Sequence, residues 1–235
     1  MNQRLQFGDS LVDYNWTIVP ISDSTSKVKV RITDKKNSLK NRILIPFTNS
    51  VIEKRSKKSL LNYNTFLNNH IQKFKVKVEG EAELSSSFCA YLPAKGVQSE
   101  KAFGMMRDFP YLSSFVKENN LKPTGTPFVE ITDWNMATDS ISFNFCYPIQ
   151  KADSLPNHHE IKFREYPGRK AIKAIYYGNY MTSDRAWYRI LTYAEKNGIT
   201  VDSNPIEVFL NNPSQGGNEL EWKAEIYIPL KNSDE

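Results

Sequence analysis

The sequence predicts an α+β protein in two unequal parts. Three observations carry this. Near the start, two short runs alternate apolar and polar residues, the period of a half-buried strand. From about residue 48 to 74 the apolar period lengthens to three or four, that of an amphipathic helix. Beyond residue 75 a strand–helix–strand–strand pattern occurs twice.

The elements follow in order. Tyr14-Asn15-Trp16-Thr17-Ile18-Val19 and Lys27-Val28-Lys29-Val30-Arg31-Ile32 are the alternating runs. Ser22-Asp23-Ser24-Thr25-Ser26 between them is turn chemistry. Arg42-Ile43-Leu44-Ile45-Pro46-Phe47 is a third apolar run, a strand or an approach to a helix. Leu60, Tyr63, Leu67, Ile71 and Phe74 then mark one face of the long helix. Residues 76–84 are expected to open the second part as a strand, which places the boundary near 75.

Composition narrows the function classes. The chain has 235 residues, 40% of them hydrophobic and 24% charged, enough to bury a core. Apolar runs are too short for a spanning helix, and the first residues lack the basic-then-apolar order of a secretory signal. The expected location is cytoplasmic. Cys89 and Cys146 are the two cysteines, too few for a disulfide framework or a four-thiolate zinc site. Residues 1–84 carry net charge +7 and residues 85–235 carry −2, so the parts differ in character. The basic run 53–58 has no interleaved aromatics, and no nucleic-acid partner is expected.

The repeat is specific in order as well as in wording. Thr126-Pro127-Phe128-Val129-Glu130-Ile131 returns as Asn204-Pro205-Ile206-Glu207-Val208-Phe209. Phe145-Cys146-Tyr147-Pro148-Ile149 returns as Ile226-Tyr227-Ile228-Pro229-Leu230. The copies span about 85–150 and 160–231. The helix of the first is expected over about 98–119 with a break at Asp108-Phe109-Pro110. That of the second is expected over about 181–197, stopped by Asn197-Gly198.

Alternation then assigns faces. Leu220, Trp222, Ala224, Ile226 and Ile228 share one face, and Glu221, Lys223, Glu225 and Tyr227 the other. Ile141, Phe143, Phe145 and Tyr147 take the apolar face, opposite Ser142, Asn144 and Cys146. In the last repeat Ile206, Val208 and Leu210 read as apolar and face away from Glu207 and Phe209. Helices are expected on the apolar face, and a groove shared by the two copies on the mixed face.

Two resemblances enter here. Tyr177-Gly178-Asn179-Tyr180, the helix from Ala186 to Gly198, the 204–209 string and Ile226-Tyr227-Ile228-Pro229-Leu230 resemble the GyrI-like, AraC-type effector-binding domain over about 85–231. That family occurs in multidrug-sensing transcription activators. The resemblance implies a bacterial, regulation-related protein that binds small organic ligands in a groove between the copies, without a cofactor. It also implies a groove acid, here Glu207, among aromatic walls that hold lipophilic or cationic compounds. Residues 5–75 more weakly resemble the C-terminal half of a START-like (SRPBCC, polyketide-cyclase-like) helix-grip domain, by architecture alone.

A carboxylate among rings attracts a cation, each ring adding roughly 0.5–2 kcal/mol. Tyr227, Tyr177, Phe209 and Trp134 are the aromatic candidates, and Cys146 is a further groove residue. Non-catalytic binding is the expected function. One branch of the family resembles hydrolases of strained electrophilic rings. There Glu207 would be general base and Tyr227 a proton donor. A protein-interaction module is a third expectation. Trp187 joins Ile190, Leu191 and Ala194 in a helical stripe and is expected in the core. His158 and His159, adjacent in a loop, make a poor metal pair, and no metal site is expected.

Overall fold

The computed structural model describes residues 1–7, 10–22, 25–34, 51–211 and 216–231. They divide into two compact units, Met1–Asn68 and Asn69–Glu235.

In the first unit β1 (Asn2–Phe7), β2 (Ser10–Pro20) and β3 (Ser26–Asp34) form an antiparallel sheet in that order. The strand β1 lacks a clear alternating signal and was not expected from the sequence. Helix α1 (Val51–Ile71) packs against β2. The Tyr14 hydroxyl lies 2.7 Å from Ser56 Oγ, and the Trp16 and Tyr63 rings meet edge to face at 6.1 Å. The apolar run 42–47 lies outside the described residues.

The second unit is one eight-stranded antiparallel sheet with two helices on one face. Its strands are β4 (Phe74–Leu84), β5 (Ser87–Val97), β6 (Phe128–Asn135), β7 (Ser140–Pro148), β8 (Lys162–Tyr166), β9 (Arg169–Gly178), β10 (Ile206–Phe209) and β11 (Lys223–Pro229). Their order is β4-β9-β11-β10-β6-β7-β5-β8. Helix α2 (Lys101–Glu118) follows β5, and α3 (Arg185–Lys196) follows β9.

That order shows how the duplication closes on itself. At the centre β6 pairs with its repeat counterpart β10, with Val129 opposite Glu207. These two are equivalent positions in the copies, so an approximate two-fold axis passes between them. At the edges the copies interlock. Strand β4 leads into β5 but pairs with β9, and β8 leads into β9 but pairs with β5. Each copy therefore completes the other's sheet, and neither half closes alone.

The main core lies between the sheet and the helices. Leu112 and Val116 of α2 and Ala186, Trp187 and Ile190 of α3 pack on Ile131, Phe145, Ile172 and Ile226. Each large apolar side chain buried there contributes about 1.5–3 kcal/mol. This stripe also explains why α2 runs unbroken through Pro110, against the expected break. Proline removes one backbone donor. Burial of Met105 before it and of Leu112 and Phe115 after it holds both halves of the helix on the sheet. Helix α3 ends as its sequence indicates, with Gly198 at φ +66° and the Ile199 N–H donating to the Ala194 carbonyl.

Strand faces follow the alternation except at β10. Ile141, Phe143, Phe145, Ala224, Ile226 and Ile228 all point to the helices. In β10 the phase is reversed. Ile206 sits opposite Tyr227, and Glu207 opposite Ile226. Ile206 therefore joins a smaller cluster on the far face with Phe128, Cys146, Tyr166 and Tyr227, while Glu207 and Phe209 point to the helices. Ile206 belongs to that far-face cluster and Val208 packs against it, so the apolar residues of β10 do not mark the helix side.

Candidate functional site

At the approximate two-fold axis, under the helices, sits a buried polar centre. Glu207 and Lys101 are both fully buried. Lys101, the first residue of α2, donates from Nζ to Glu207 Oε2 and, at 2.7 Å, to Ser183 Oγ. Ser183 Oγ lies 3.0 and 3.1 Å from the two carboxylate oxygens. Trp187 Nε1 donates to Oε1 at 2.6 Å, and the Lys101 ammonium stands 4.7 Å from the Trp187 ring centre. The first copy supplies the lysine and the second the other three groups. Full pairing is what makes two buried charges tolerable.

An apolar cavity of about 290 Å³ opens between α2 and the 179–182 segment, and none of Lys101, Ser183, Trp187 and Glu207 lines it. Phe103, Met105 and Met106 of α2 line one side, and Tyr180, Met181 and Trp222 the other. Tyr180 is fixed by donating to the Lys223 carbonyl at 2.9 Å and packs on Phe209 at 4.7 Å. Burial pushes its hydroxyl up to about 12. Asn179 and Tyr180 of the quoted motif thus shape a wall. The Asn179 side chain caps the turn at Tyr180–Thr182 by accepting from the Met181 N–H at 3.0 Å.

The far face carries a separate cleft of about 450 Å³. Glu130 on its floor accepts from Asn144 Nδ2 at 2.8 Å, Tyr166 at 2.9 Å and Arg164 at 3.1 Å.

The residues expected to share one groove are divided between these faces. Glu207, Phe209 and Trp134 are on the helix side, and Trp134 packs against Trp187 at 5.0 Å. Tyr227 and Cys146 are on the far side. Tyr177, opposite Lys223 in the pairing of β9 with β11, is half-buried there too. Tyr227 donates to Glu225 at 2.8 Å, a carboxylate also held by Lys173 at 3.0 Å. Glu207 and Tyr227 therefore do not meet as a base and acid pair. The sequence reading missed Lys101, Ser183, Glu130, Arg164 and Tyr166. Lys101 left a trace, since it stands four residues before Met105 on the apolar stripe of α2. Glu130 stands within the repeated 126–131 string, while Ser183, Arg164 and Tyr166 sit in a short strand and a turn with no pattern of their own.

The GyrI-like small molecule binding domain family matches residues 107–231, more than half of the chain. The chain belongs to the GyrI-like family. The GyrI-like unit is an effector-binding, ligand-binding fold. Among curated proteins none matches significantly. Two solved structures share the fold. The crystal structure of the EcmrR C-terminal domain is 18% identical at a TM-score of 0.56, covering 68% of this chain and 98% of that one. The cryo-EM structure of an EcmrR–DNA complex is 16% identical at 0.55, covering 83% and 77%. Among the described residues no helix of the protein is long and apolar enough to cross a membrane.

The two thiols of the GyrI-like unit belong to its packing. Burial raises Cys89 to about 11 and holds Cys146 well above the ordinary thiol range, although Cys146 Sγ lies 3.0 Å from the Tyr166 hydroxyl. Both stay protonated at neutral pH. Native protein at pH 8 is expected to leave both unreactive toward a disulfide reagent, and urea-unfolded protein to titrate both. Rapid labelling of the native thiols would contradict this burial.

Proposed function

We propose that the GyrI-like unit binds, without chemistry, a small uncharged and largely apolar organic molecule between α2 and the 179–182 segment. The observation that carries this reading is the apolar cavity itself, lined by Phe103, Met105, Met106, Tyr180, Met181 and Trp222, with the acid Glu207 outside its lining and already balanced by Lys101. Methionine and aromatic walls accept ligands of varied outline. A cationic ligand reaches Glu207 only by displacing the Lys101 ammonium, which disfavours cations in this chain. Glu207 is fully buried with its oxygens held by Lys101, Ser183 and Trp187, which supports binding over a base role toward water.

The test compares 2-naphthol with trimethyl(2-naphthylmethyl)ammonium by tryptophan fluorescence and melting temperature. Wild type is expected to bind the naphthol in preference. Lys101→Met is expected to gain affinity for the cation by about tenfold or more, a difference of about 1.4 kcal/mol. If the cation binds wild type and Lys101→Met equally, or neither compound binds either protein, the reading fails.

A further inference from the structure

We infer a second ligand site on the far face of the sheet, for a small monocarboxylic acid with an aromatic or branched apolar body. The inference goes beyond the helix-side reading and does not depend on it. The cleft of about 450 Å³ lies within the size range of small-molecule sites. Both copies line it, with Phe128 from the first and Ile206 and Tyr227 from the second.

Its polar groups decide the ligand's chemistry. Glu130 already accepts three hydrogen bonds, from Asn144, Arg164 and Tyr166, so it has little left to offer a cation. The arginines are in the opposite condition. A guanidinium carries five N–H donors. Arg164 spends one on Glu130 at 3.1 Å, and its plane rests 4.3 Å from the Tyr166 ring centre. Arg169, beyond the Pro167-Gly168 turn, spends one on Asp202 at 2.6 Å. Among the described residues no further acceptor meets either group. Both line the cleft and are partly exposed, at 40% and 36% of the side chain.

The cleft's two guanidinium groups therefore hold unspent donors, while its unspent carboxylate, Glu83, stands exposed at the rim. A planar pair of oxygens is the natural complement of a guanidinium fork. The Tyr166 ring beneath Arg164 holds that fork in place. Phe128, Ile206 and Tyr227 supply an apolar bed for the rest of the molecule. Glu83 is exposed at the rim and would oppose a second negative charge, which selects a monoacid.

Calorimetric titration of the full chain with 2-naphthoate, 2-naphthamide and 2-naphthylmethylamine tests this. The acid is expected to bind about tenfold tighter than the amide, and the amine not at all. Arg169→Gln and Arg164→Lys are each expected to weaken the acid about tenfold. Arg164→Lys keeps the charge beside Glu130, so loss of folding does not mimic loss of the fork. Naphthoate binding by a wild type that does not bind the naphthol would leave this site standing while the helix-side reading falls. The inference is overturned if the amine binds as well as the acid, if both arginine variants bind naphthoate like wild type, or if none of the three binds.

Discussion

Replacing Lys101 by methionine is expected to destabilise the GyrI-like unit by about 3–5 kcal/mol. The reason is the partner left behind. Glu207 is fully buried, and without the ammonium its charge faces only the Ser183 hydroxyl and the Trp187 indole. Glu207→Gln is expected to cost a similar amount by orphaning the lysine. The double variant Lys101→Met/Glu207→Gln is expected to cost much less than the sum, because no net charge stays buried and the glutamine oxygen still accepts from Trp187. Urea unfolding in a Trp16→Phe background isolates the signal to Trp134, Trp187 and Trp222. Additive losses in this cycle would mean that the two charges act independently, against the contact between them.

Gly178→Ala is expected to cost about 2–4 kcal/mol, from backbone strain and overpacking together. Gly178 has φ +142°, and a Cβ there would come within 2.9 Å of Phe74 Cβ, 3.0 Å of the Lys73 carbonyl and 2.7 Å of the Tyr176 hydroxyl. Two of these contacts are backbone or its first side-chain atom and have little room to move. Gly198→Ala is the matched comparison. It has φ +66° with nothing within 4 Å, so only the left-handed backbone is at stake, about 1–2 kcal/mol. Thermal melts of both variants measure the difference. Equal losses would show that the clash relaxes freely.

These two glycines mark how far the sequence reading extends. Gly198 was legible because Asn-Gly after a helical stripe is a local stop signal. Gly178 was quoted within a motif, but its close neighbour Phe74 comes from β4, a hundred residues away, and local pattern does not reach that far. Pro110 shows the same limit from the other side. A strong local break signal was overridden by burial of the helix on either side of it. For the candidate site, Glu207 was identified through its family motif and Phe209 by its place beside it. Which way they point was misread, because both neighbours of Glu207 are apolar and pack on the far-face cluster instead of the helix side.

Sequence alone determined that the chain is α+β, that its larger part is duplicated, and which short strings mark the GyrI-like family. Each of these is carried by local periodicity or repeated wording, which survive without coordinates. Tertiary structure decided that the copies exchange outer strands, that Glu207 meets a lysine from the other copy, and that the aromatic candidates fall on two faces. Those outcomes depend on register between strands distant in sequence, and a shift of one residue in register exchanges the faces of a whole strand.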